Sequence, residues 1–129
     1  MNAVHRTTAL LLLACTAPWA LADSHDDAML KLASTSGCLT CHHIEPGTPG
    51  PDGLAPIGPA WHDVARKYQG VAGAAETLTR TVMIGSNPYA SHWKGKVSGL
   101  AMPPNAVAIK DADATALVQW ILHLEPAKK

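Results

Sequence analysis

The segment GCLTCHH, residues 37–43, constrains this chain more than any other stretch. Two cysteines lie three apart and a histidine follows the second at once. Such a pair can be a redox dithiol, half of a zinc site, a small disulfide, or a covalent anchor for haem. Each of these demands something different from the rest of the chain. A thioredoxin-like dithiol expects a βαβ setting, and no stretch here alternates well enough to be a strand. A structural zinc site needs four ligands, usually as two separated pairs. Cys38 and Cys41 have no second pair, with only His62, His92 and His123 in reserve. A disulfide closing so small a loop constrains the unfolded chain little and leaves the histidine idle.

The haem reading uses every residue of the motif. Cys-x-x-Cys-His is the attachment signature of c-type haem. On a helical turn, side chains three and four apart share a face. Cys38 and Cys41 can therefore reach the two vinyl groups at one porphyrin edge, while His42 is carried over the ring toward the iron. His43, adjacent to the first ligand, points elsewhere and reads as a surface or supporting residue.

The rest of the chain suits an exported protein. Residues 1–22 have the form of a signal peptide: His5 and Arg6, an apolar run, then Ala20-Leu21-Ala22 as a small-x-small cleavage site. The apolar run is too short to span a bilayer. Leu12-Leu13-Ala14-Cys15 loosely resembles a lipoprotein cleavage box, but the run before Cys15 is short for one. Cleavage after Ala22 leaves a domain of residues 23–129 whose only cysteines are Cys38 and Cys41. No later segment is long and apolar enough to be transmembrane. The full chain carries ten basic and ten acidic residues, a balance that gives no footing to nucleic acid or to a strongly charged membrane surface. The domain has no phenylalanine, and its aromatics are Trp61, Tyr68, Tyr89, Trp93 and Trp120. At this size a core is modest, and a large apolar cofactor would supply much of the interior.

Hydrophobic periodicity predicts helices. Met29, Leu32, Ala33 and Ser36 share one face, and Gly37 follows as a stop. Pro59 suits a first helical position ahead of Trp61, Val64, Ala65 and Tyr68, with Gly70 closing that helix. A third segment runs from Ala74 to Ile84 and stops at Gly85. A fourth begins at Asp111 or Asp113 as N-cap and carries Leu117, Trp120, Ile121 and Leu124. Between them lie two irregular stretches, 47–59 and 86–105, of a length that in compact domains accompanies function or disorder. The expected fold is all-α, about four helices wrapped around one covalently bound haem.

With His42 on one face of the iron, the other face is open or capped. Met29 and Met83 fall in helical patterns, where methionine usually fills core. His62 and His92 are further candidates. Met102 stands apart in GLAMPPN (99–105): Pro103 biases it toward an extended conformation, and two prolines stiffen the loop and remove two backbone donors. Such a loop can present one thioether at a fixed place, and His/Met ligation raises a haem's potential.

These motifs together resemble a class I cytochrome c, closest to the small bacterial c-551/c-552 type. The resemblance runs from about Asp26 to Leu124 and rests on GCLTCH (37–42), IGPAWHDVARKY (57–68), IGS (84–86), MPPNAV (102–107) and LVQWIL (117–122). It implies Cys38 and Cys41 as thioether anchors and His42 and Met102 as axial ligands. It further implies that the Pro59 carbonyl accepts the second ring N–H of His42, that Trp93 donates to a haem propionate, and that Asn105 hydrogen-bonds near the methionine sulfur. Gly37 and Trp120 resemble the close crossing of the first and last helices. The chain departs from the type in four places. Ala33 stands where an aromatic is frequent, residues 42–59 carry a Pro/Gly-rich insertion, and the loop from Trp93 to Met102 is long. The basic side chain expected near the propionates does not align, since Arg80 is displaced by one and Thr81 stands in its place.

The function expected from this set is one-electron transfer in the periplasm, with redox proteins as donor and acceptor docking transiently at the haem edge. Lys94 and Lys96 are candidates to meet an acidic patch on such a partner, or else simply solubilise their loop. Two rivals stay open: a haem sensor or enzyme in which Met102 is labile, and the haem subunit of a larger periplasmic oxidoreductase.

Overall fold

The computed structural model describes residues 19–125. The proposed leader and Cys15 lie outside them, apart from residues 19–22 of the first helix. Four helices follow in order, α1 (Trp19–Thr35), α2 (Trp61–Tyr68), α3 (Ala74–Ile84) and α4 (Asp111–Leu122), with 3₁₀ turns at Cys38–Thr40 and Pro51–Gly53. No β-strand occurs among the described residues.

Helix α4 is the spine, and α1, α2 and α3 all pack on it. Ala33, Trp61, Val64, Ile109, Ala114, Leu117, Trp120 and Ile121 form the buried cluster. Ala33 and Ala114 have no exposed surface at all, so the small residue at 33 sits where α1 enters this cluster. Trp61 and Trp120 meet edge to face with centroids 5.8 Å apart, the geometry their quadrupoles favour. The Trp120 indole N–H donates to Asp26 Oδ1 at 2.7 Å, pinning α4 to the middle of α1. Among the described residues no large side chain is fully buried.

Three local expectations are corrected. Pro59 is not the first residue of α2, which starts at Trp61 behind Ala60. The leading N–H groups of α2, which no helical carbonyl can satisfy, are taken by the chain beyond His42: Trp61 N–H by the His43 carbonyl at 2.9 Å and His62 N–H by Ile44 at 3.2 Å. Helix α4 is capped by Lys110 rather than by an aspartate, and Asp111 and Asp113 lie inside its first turn, where negative charge complements the helix dipole. Gly37 has φ +76° and open space where a Cβ would sit. It is needed for a left-handed turn after α1, not for a close helix crossing.

Residues 47–59 and 86–105 are not independent excursions. Ser98 N–H donates to Pro56 O at 2.9 Å and Gly99 N–H to Ile57 O at 3.0 Å. A Cβ at Gly99 would lie 2.5 Å from Ile57 O, so this backbone seam accepts only glycine there. The seam joins the two segments along one side of a cleft.

Candidate functional site

The cysteine motif begins where α1 ends. After the left-handed Gly37, the chain makes a 3₁₀ turn over Cys38–Thr40, and His42 N–H bonds the Cys38 carbonyl at 3.1 Å. Cys38 and His42 thus stand one turn apart, as their spacing requires. Both thiols are free and half-buried. Burial holds the Cys38 thiol above its ordinary range, whereas a redox dithiol needs its pKa depressed to form a thiolate. Among the described residues no group of three or more His, Cys, Asp or Glu side chains gathers to hold a metal, so the zinc reading has no ligand set there.

His42 is held from three sides. Its Nδ1 lies 2.8 Å from the Pro59 carbonyl, and since a carbonyl only accepts, the proton sits on Nδ1 and the Nε2 lone pair is left for a metal. Its ring stacks on Trp61 at 6.0 Å and 27°. The α-carbon of Gly58 closes the third side, where a Cβ would come within 2.8 Å of the ring. Burial lowers the His42 pKa, with the Pro59 bond opposing it only in part, and the neutral imidazole that results is the ligand form. Pro59, displaced from the helix, is therefore free to turn its carbonyl to the histidine.

His42 and Cys41 line a cleft of about 360 Å³, a volume in the range of cofactor pockets. Its floor is apolar, with Val64, Leu78, Val82, Val118 and Ile121 from α2, α3 and α4. Met102 lines the same cleft from the 86–105 segment. That segment is strapped to the end of α3: Ser86 N–H donates to Met102 O at 2.9 Å and Met102 N–H to Ser86 Oγ at 2.8 Å. Asn105 N–H donates to Val82 O at 3.0 Å. Gly85 (φ +86°) lets the strap approach, since a Cβ there would be 2.9 Å from Met102 O.

The other candidates fall elsewhere. Met29 and Met83 pack on the core. His62 is buried away from the cleft, with Nε2 3.1 Å from Glu45 Oε1. This pair clamps the 43–48 turn onto α2, and no pattern in the sequence marked it. Trp93 lines the cleft. Asn105 does not; its side-chain amide donates to Pro103 O at 2.6 Å and Val82 O at 3.3 Å, so it braces the strap that carries Met102 and both donors are occupied by carbonyls.

A flat apolar group fits this constellation. Cys41, a neutral His42 and the Met102 thioether line one cleft over an apolar floor, and Cys38 stands one turn before His42. The comparisons with known proteins agree. The family model for cytochrome c matches residues 30–125. Cytochrome c-551 of Allochromatium vinosum is 44% identical over 108 residues, covering 84% of this chain and 92% of that protein. Cytochrome c2 of Rhodocyclus tenuis is 38% identical, covering 73% of this chain and 89% of its own length. The crystal structure of cytochrome c552 from Nitrosomonas europaea superposes with a TM-score of 0.58 at 35% identity, over 74% of this chain and 99% of that one. The chain belongs to the cytochrome c family, as a small bacterial c-type cytochrome that carries electrons on one haem attached through Cys38 and Cys41.

Proposed function

We propose that this cytochrome is a periplasmic one-electron carrier whose haem iron is held by His42 and Met102, and that residues 1–22 are the leader that exports it. The observation that carries the reading is that a fixed, neutral His42, its Nδ1 taken by Pro59, and the strapped Met102 line one cleft. Haem would supply the Fe(III)/Fe(II) couple, and His42 and Met102 would hold it from the two walls of the cleft. The protein's part is to keep both ligands still. Pro59, Trp61 and Gly58 immobilise the imidazole, while Ser86, Gly85 and Asn105 immobilise the strap. The hydrogen bond from Nδ1 to Pro59 also raises the donor strength of Nε2. A soft thioether favours the reduced metal, so the pair balances the two oxidation states. Rigid ligation keeps reorganisation on electron transfer small.

Electrons would pass at the open side of the cleft, to and from redox proteins that dock there briefly. Leu100 and Tyr89 are almost fully exposed, and Lys94 and Lys96, between them in the sequence, are exposed too, a surface suited to a small and transient interface. The test is the visible spectrum of the oxidised and reduced holoprotein, repeated with carbon monoxide on the reduced form. The expected result is the weak red band of Met-ligated ferric haem and no response to carbon monoxide. Rapid carbon monoxide binding without a red band would replace the carrier by a sensor or an enzyme with a labile ligand.

A further inference from the structure

One rim of the cleft, carried by residues 91–97, has no role in ligation. It differs from the apolar floor in bearing donors and positive charge. Neither of the two α3 residues near the expected basic position can make that contact. Arg80 is exposed, reaches toward Glu76 at 3.9 Å and does not line the cleft. Thr81 does line it, but its hydroxyl proton goes to the Thr77 carbonyl at 3.0 Å, leaving it nothing to donate to an anion.

His92 lines the cleft at this rim. Its Nε2 lies 3.2 Å from Lys96 Nζ. An ammonium has only protons to give, so Nε2 accepts and the ring proton of the neutral imidazole sits on Nδ1. Desolvation, and then the positive charges of Lys67 and Lys96, lower the His92 pKa and keep the ring in that neutral form. No protein acceptor among the described residues takes the Nδ1 proton. Trp93 meets His92 edge to face at 4.8 Å and 82°, and Lys96 Nζ lies 5.7 Å over the Trp93 ring. The ion pairs among the described residues are His62–Glu45, Arg66–Asp63 and Arg80–Glu76. Lys96 therefore forms no ion pair among the described residues, although Glu45 and Asp63 line a small neighbouring pocket with it. A donor at the polar rim of an apolar cleft, backed by a cation in no ion pair, forms a receptor for a carboxylate.

Resting on the assignment of the cleft to haem, whose ring carries two carboxylates, we propose that His92, backed by Lys96 and beside Trp93, receives one of them. The 91–97 segment thus supplies the positioning contact that α3 lacks. His92 donates from Nδ1, and the Lys96 ammonium both fixes the tautomer and offsets the carboxylate's charge. An uncompensated carboxylate near the iron favours Fe(III), so the Lys96 charge raises the reduction potential.

The test is resonance Raman spectroscopy of the ferrous holoprotein at the propionate bending band, with the reduction potential and the ferric red band measured on the same samples. Variants are His92→Ala, His92→Gln, Lys96→Met and, as a charge control, Lys94→Met. The band should shift in His92→Ala and move back toward wild type in His92→Gln, whose amide can donate. The potential should fall in Lys96→Met by more than in Lys94→Met. Wild-type band and potential in both His92→Ala and Lys96→Met, with the red band intact, would overturn the proposal. A wild-type protein without the red band would instead overturn the His42/Met102 assignment, and the Raman comparison would still judge His92. Nitrogen-15 NMR of the wild-type ferrous protein adds a check that needs no variant. The ring proton should lie on Nδ1 of His92 with a cross-peak to propionate methylene protons, and a proton on Nε2 would overturn the clamp.

Discussion

Gly58→Ala is the substitution that most directly probes how the histidine is held. Gly58 lies outside the left-handed region, so alanine meets no backbone penalty there and its effect comes from its methyl alone. That Cβ would sit 2.8 Å from His42 Cε1, 2.9 Å from Nδ1 and 3.0 Å from the Cys41 carbonyl. Unstrained carbon contacts lie at about 3.5–4.0 Å, so the ring must retreat by roughly 0.7 Å or more. It has nowhere free to go. Retreat presses it on Trp61 and stretches the 2.8 Å bond to Pro59, while the backbone is tied by the 2.7 Å bond from Gly58 N–H to Cys41 O. Overpacking of this kind costs about 1–3 kcal/mol, and losing the Pro59 bond adds about 1 kcal/mol. A loss of roughly 2–4 kcal/mol lowers a guanidinium midpoint by about 0.5–1 M if the denaturant slope is about 4 kcal/mol per molar. The assay is guanidinium unfolding of the ferric holoprotein followed by circular dichroism, alongside its reduction potential. The potential should rise, because a weakened Nδ1 bond makes Nε2 a poorer donor to Fe(III). An alanine variant with the wild-type midpoint and potential would refute the claim that His42 is confined by this glycine.

Three more outcomes follow from the same geometry. Ser86→Ala leaves the Met102 N–H without its 2.8 Å acceptor, which should cost about 1 kcal/mol and speed cyanide binding to the ferric protein, read by stopped-flow absorbance. Asp26→Ala removes the acceptor of the Trp120 indole at 2.7 Å and should lower stability by about 1–2 kcal/mol in urea unfolding, with the potential unchanged because neither residue lines the cleft. Lys94→Glu should slow association with an acidic redox partner severalfold at low salt and lose that effect at high salt; a rate indifferent to the substitution at low salt would leave Lys94 as a solubilising residue.

Much of this molecule was legible because it depends on periodicity and on spacing. The stripe of Trp61, Val64, Ala65 and Tyr68, the limits of α3 at Ala74 and Ile84, and the one-turn relation of Cys38 to His42 each follow from the helical repeat. What was not legible depends on backbone-to-backbone bonds between distant segments, which leave no side-chain signature. The start of α2 was misplaced because its free N–H groups are satisfied by His43 and Ile44 carbonyls rather than by a local cap. The seam of Ser98 and Gly99 with Pro56 and Ile57 was hidden for the same reason. Gly37 was rightly read as the stop of α1, but the close helix crossing also assigned to it is absent, since nothing lies within 4 Å of where its Cβ would be. Asp111 and Asp113 carry the composition of a cap but lie inside the first turn, where they act through the dipole. The His92–Lys96 contact joins residues four apart in a loop, where no repeat announces that two side chains will meet.

The central claim is that Met102, and neither Met29 nor Met83, faces His42 across the iron. It is tested most directly by NMR of the diamagnetic ferrous protein with carbon-13 in the methionine methyl groups. A methyl group held over the face of an aromatic macrocycle is shifted far upfield, whereas methyls packed in the core are not. The account predicts one strongly upfield methyl that vanishes in Met102→Ala and survives in Met29→Leu and Met83→Leu. An upfield methyl that persists without Met102, or none in the wild-type protein, would contradict it.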